Sequence, residues 1–133
     1  MPLKAGDAFH MSGTGGFTNP GGAHLCVCLT SPCEKGNILV VTIISYKPGF
    51  DKGCLLCLGD HKDIRWDSCA SYADAKKIYG TATEKLIGDG TYGVTDNVSP
   101  ELLSRLRRGL FASGDTPPFI LEYAKKRGLS AKS

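Results

Sequence analysis

The stretch Ala23–Ser45, AHLCVCLTSPCEKGNILVVTIIS, decides the fold. Its second half, Asn37–Ser45, is almost unbroken apolar sequence rich in Val, Ile and Thr, whose branched side chains pack well on a pleated surface. So continuous an apolar run predicts a strand buried on both faces. The first half, Ala23–Ser31, predicts a partner strand, and the Pro, Lys and Gly of PCEKG between them suit a hairpin turn. Strand side chains alternate between faces. Leu25, Val27 and Leu29 therefore point to the core, while His24 shares the other face with Cys26 and Cys28.

Working outward, GDAFHM (6–11) predicts a first strand, and Ser12–Gly22, with five glycines and a proline, a flexible connection. YKPGFDKG (46–53) reads as a loop and Cys54–Leu58 as a fourth strand. Arg65–Ile78 is open: Ala and Lys favour a helix, whereas a strand bent at Asp74 fits as well. Gly80–Val98 is polar and glycine-bearing, as a long loop or an edge hairpin would be. Helices follow. Ser99-Pro100-Glu101 supplies an N-cap, a proline at the first helical position and an acid near the positive helix end. Leu102, Leu103, Leu106, Leu110 and Phe111 make its apolar face, and a second helix runs from about Pro117 to Arg127 before Gly128. The 133 residues, 41% hydrophobic and 22% charged, fit a single soluble domain, mainly β, with strands over about 6–78 and helices over about 99–113 and 117–127.

Apolar runs are far shorter than the roughly 18 residues a membrane span needs, and the start carries no secretory pattern, so a cytoplasmic protein is expected. There the six cysteines stay reduced. Cys54-Leu-Leu-Cys57 with His61 has the spacing of half a zinc site, but a strand would turn the two thiols to opposite faces, and no metal is expected. Charge is uneven. Residues 1–100 carry nine Lys/Arg against ten Asp/Glu, and residues 101–133 carry seven against three, so the +3 net charge lies in the C-terminal third. Such a cluster attracts nucleic acid or forms a solvated helix face.

A small barrel of about five twisted strands closed by a C-terminal helix fits this order. At this point GDAFHM, HLCVCLTSP, VVTIISYKPGF, and YADAKKIY followed by VSPELLSRLRRGL stand in the order and spacing of motifs of the MazF/PemK toxin family. The chain resembles that family over about residues 6–113. The resemblance implies an SH3-like antiparallel barrel, metal- and cofactor-independent cleavage of single-stranded RNA, an antitoxin partner and a homodimer. It also favours the strand reading of Ser71–Ile78. Two departures stand out: His24 or Leu25 takes the place of the family's phosphate-stabilising arginine, and Ala75 that of its glutamine, whereas Ser45 matches its Ser/Thr.

Cleavage by attack of the 2′-hydroxyl needs a base, a donor at the phosphate and an acid at the leaving oxygen. Imidazoles supply both proton-transfer roles near neutral pH. His24 and His61 each stand at a strand end beside glycine, and with Ser45 they form the candidate catalytic set; His10 reads as a packed or exposed strand residue. Acids flanking His61 would hold its ring protonated. Lys47, Lys52 and Arg65 are candidate phosphate contacts, and Trp66 and Tyr72, with Tyr46 and Phe50, candidate stacking partners for unpaired bases. Two functions of different class follow: a toxin-like endoribonuclease, or a non-catalytic barrel that binds nucleic acid or a protein partner.

Overall fold

The computed structural model describes residues 2–11, 24–50 and 53–133. Six strands form one antiparallel sheet that curls into a half-barrel: β1 (Ala8–Met11), β2 (His24–Cys28), β3 (Asn37–Ser45), β4 (Leu55–Leu56), β5 (Ser68–Tyr79) and β6 (Gly93–Val94). Their spatial order is β4-β5-β3-β2-β1-β6, so the two shortest strands are the edges. Three helices join them: α1 (Gly80–Gly88), α2 (Pro100–Ala112) and α3 (Pro118–Lys126).

β3 sits between β2 and β5 and is buried on both faces, as its continuous apolar sequence requires. Leu39, Val41 and Ile43 join Leu25, Val27 and Leu29 in one cluster, against which α2 and α3 lay Leu102, Leu106, Leu110, Ile120 and Ala124. Ile38 and Val40 join Phe9, Met11, Cys26 and Cys28 in a second cluster on the opposite face. There Ile87 of α1 and Tyr92, stacked on Phe9 at 5.7 Å, close the layer.

Within Arg65–Ile78, the residues from Ser68 onward resolve as strand: pairing with β3 overrides the helix-forming residues. Between Val40 and Thr42, two steps along β3 (42 − 40) face five along β5, from Ser71 to Lys76 (76 − 71). The bend falls where Ser71 Oγ donates to Asp74 at 2.7 Å.

Gly80–Val98 corrects the sequence reading in part. Its first nine residues are helix α1, not loop, while β6 does pair with β1 at the sheet edge. α1 lacks a capping side chain and is bracketed by glycines, so the usual start signal is missing. Gly80 suits the close approach there: a Cβ would stand 3.0 Å from the tip of the Ile38 side chain, which would have to shift. α2 begins as read, Ser99 Oγ accepting the Leu102 amide at 3.0 Å with Pro100 in the first turn.

Candidate nucleic-acid interface

The connection between β4 and β5, residues 57–67, organises one end of the sheet, and four of its residues, Asp60, His61, Asp63 and Trp66, hold it in place. The Asp60 carboxylate accepts from Arg105 of α2 at 2.8 Å, and the same guanidinium reaches the Leu55 carbonyl at 2.7 Å. His61 donates from Nε2 to the Asp96 carbonyl at 2.7 Å and accepts the Asp63 amide on Nδ1 at 3.1 Å. The Asp63 carboxylate accepts from Thr95 and, at 2.8 Å, from His10. Finally, Trp66 donates its indole N–H to Ser45 Oγ at 2.7 Å.

These contacts assign roles that residue type alone left open. A backbone amide only donates and a backbone carbonyl only accepts, so the His61 ring carries its hydrogen on Nε2 and a lone pair on Nδ1. With 8% exposure, it is a clasp between the connection and the segment after β6. Its flanking acids make their hydrogen bonds to other groups, Asp60 to Arg105 and Asp63 to Thr95 and His10, although the Asp63 carboxylate stays 3.9 Å from His61 Nδ1. Both carboxyls are held below the usual carboxylate range, Asp60 chiefly by its bond from Arg105 and Asp63 chiefly by the Thr95 hydroxyl and then by His10.

His24 opens β2 opposite Met11, half-buried, on the face of Cys26 and Cys28. Ser45 closes β3 opposite Ser68, on the face of Ile43 and Val41. The two therefore lie at the same end of the sheet on opposite faces, and His61 is engaged on a third element. Tyr72 is 1% exposed and donates its hydroxyl to the Leu106 carbonyl at 2.8 Å. It packs α2 against β5, so no base can stack on it. Lys52 lies outside the described residues. The cysteines of β2 are inert, burial pushing the Cys26 thiol up to about 11 and the Cys28 thiol up to about 12.

Trp66, Arg65 and Lys47 share one exposed surface. Trp66 is 61% exposed. The Tyr46 amide donates to the Asp67 carbonyl at 3.0 Å, which ties together the two segments that carry Lys47 and Arg65, both exposed. A depression of about 270 Å³ beside the Tyr46–Asp67 pair is lined by Tyr46, Leu55, Leu56, Cys57, Asp67 and Ser68. A largely exposed indole pinned through its N–H, with exposed cations on the two segments it joins, suits an unpaired base and its phosphates.

Sequence reading missed Asp60, Asp63, Thr95, Asp96 and Arg105 as the frame of this surface. Asp60 and Asp63 carried a signal only as acids flanking His61, and Arg105 only as charge in the RLRR run of 105–108, none of them as a tether. Arg107 and Arg127 are likewise anchors, donating to the Leu29 and Ser31 carbonyls, each at 3.0 Å. Among the described residues, no group of three or more His, Cys, Asp or Glu is placed to hold a metal ion, and no helix is long and apolar enough to cross a membrane. No family model and no curated protein matches the chain.

Proposed function

We propose that this half-barrel binds single-stranded RNA at the sheet end that carries Tyr46, Lys47, Arg65 and Trp66. The observation that carries the reading is the bond from Trp66 to Ser45, which holds a largely exposed indole at the sheet end that also bears the exposed Lys47 and Arg65. A fixed aromatic loses little freedom when a base stacks on it, and the cations favour phosphates by releasing counterions. The order of the MazF/PemK-like motifs supports the same ligand. Cleavage is the second reading and rests on His24 alone, which opens β2 at the end of the sheet where β3 closes with Ser45 but on the opposite face.

The test is fluorescence anisotropy with a labelled single-stranded RNA of about ten nucleotides, followed by gel analysis of the same samples. Wild-type protein binds with affinity falling as salt rises. Trp66→Ala weakens binding by about 1–3 kcal/mol, the range for one base–aromatic stack. Equal binding by wild type and Trp66→Ala, or none by either, overturns the reading. Fragmentation that His24→Ala abolishes establishes cleavage; intact RNA in the bound samples leaves a binding module.

A further inference from the structure

We propose that a second pocket, between α2 and β4, is a nucleotide site that takes the phosphate on Arg105 and Arg108. The pocket holds about 370 Å³, larger than a bare phosphate and of the size that accepts a small ligand. Two guanidinium groups line it and, among the described residues, no carboxylate does. Leu55, Phe111 and Ala112 supply an apolar wall for a sugar or base.

Arg105 is prepared for this task. Asp60 and the Leu55 carbonyl use three of its N–H donors, at 2.8, 2.7 and 3.4 Å. A guanidinium has five, so two remain on a side chain whose position is already set. Arg108, three residues on along the same helix face, is exposed and makes no ion pair among the described residues. With Asp60 neutralising one of the two charges, the site keeps a net charge of about +1.

The floor depends on Gly109. A Cβ there would lie 2.2 Å from the Tyr72 hydroxyl and 2.6 Å from the Gly53 carbonyl, so only glycine lets α2 approach the backbone of residues 53–55 this closely. The negative end of the α2 dipole opposes an anion at this position. The full charges of Arg105, held by Asp60 and the Leu55 carbonyl, and of Arg108 outweigh partial backbone charges that solvent screens.

Leu55 also lines the depression under Tyr46, so the two hollows adjoin. A strand whose base stacks on Trp66 would have a neighbouring phosphate within reach of Arg108. That extension to RNA rests on the proposed function; the pocket itself does not.

The experiment titrates ¹⁵N-labelled full chain with adenosine 5′-monophosphate, adenosine and inorganic phosphate, read by amide chemical shifts. The monophosphate is expected to shift Gly53, Leu55 and Gly109 saturably, adenosine is not, and Arg108→Gln weakens the response about tenfold while the rest of the spectrum stays in place. No response to the monophosphate, an unchanged response in Arg108→Gln, or an equal response to inorganic phosphate overturns the nucleotide site. With RNA, Arg108→Gln lowers the slope of log affinity against log salt by about one if a backbone phosphate sits here. RNA bound with an unchanged slope overturns the extension alone. Monophosphate binding without RNA binding leaves the pocket standing and overturns the proposed function.

Discussion

His61 and Trp66 stand five residues apart on one connection, and the fold uses them in opposite ways. His61 is 8% exposed and spends both ring nitrogens on backbone groups. Trp66 is 61% exposed and spends its nitrogen on a single serine, leaving the ring face open. The polar, titratable residue is the structural one, and the large apolar residue is the one offered to solvent. Residue type therefore predicts role poorly on this loop. What decides is whether the backbone groups nearby have other partners.

The largest expected effect is at His61. Replacing it by Ala leaves the Asp96 carbonyl and the Asp63 amide without their partner in a nearly buried site, which costs about 2–3 kcal/mol. Urea unfolding midpoints measure this directly. Trp66→Ala in the same assay changes stability by no more than about 0.5 kcal/mol. A small loss for His61→Ala together with a large one for Trp66→Ala would reverse the comparison.

A smaller effect is expected from pH. Asp63 is held below its unfolded value of about 3.9, first by Thr95 and then by His10, and Asp60 by Arg105. A depressed carboxyl contributes stability that is fully present above the unfolded pKa and is lost as pH falls through the folded one. The urea midpoint of the wild type should accordingly fall between about pH 5 and pH 2. Asp63→Asn should start lower at pH 5 and fall less steeply, because its amide does not titrate. Parallel curves for the two proteins would show that the clasp around His10, Asp63 and Thr95 contributes nothing to the hold on this connection.

Much of the fold was legible because single elements carried their own signals. β3 begins and ends where NILVVTIIS does, and α2 begins at Ser99-Pro100-Glu101. α1 was not legible: GTATEKLIG has no capping side chain, and its glycines mark the close approach of Gly80 to Ile38. β5 was ambiguous because the evidence for it is the pairing with β3, which no local window contains. In the site, strand ends brought Lys47, Arg65 and Trp66 into view. Tyr72 misled because a segment open between helix and strand does not say which way its side chain faces, whereas two-residue alternation sets it with Ala70 under α2. His61 misled because its deciding partner, Asp96, is 35 residues away.

The smallest effect tests the other half of the comparison. Ser45 is exposed, and its hydroxyl accepts the indole N–H of Trp66 at 2.7 Å. Ser45→Ala removes one solvent-accessible hydrogen bond, and water replaces it, so stability changes by only about 0.5 kcal/mol. The indole, however, loses its pin. Since Trp66 is the chain's single tryptophan, its fluorescence anisotropy reports on that ring alone and should drop in the variant. RNA affinity should fall less than in Trp66→Ala, because the ring can still stack but must first be ordered. Ser45→Thr, which keeps a hydroxyl at the same position, should restore both readings. If Ser45→Ala leaves the anisotropy unchanged, something other than the serine holds the ring. In that case the exposed tryptophan is an ordinary packed side chain, and its contrast with His61 is one of burial alone.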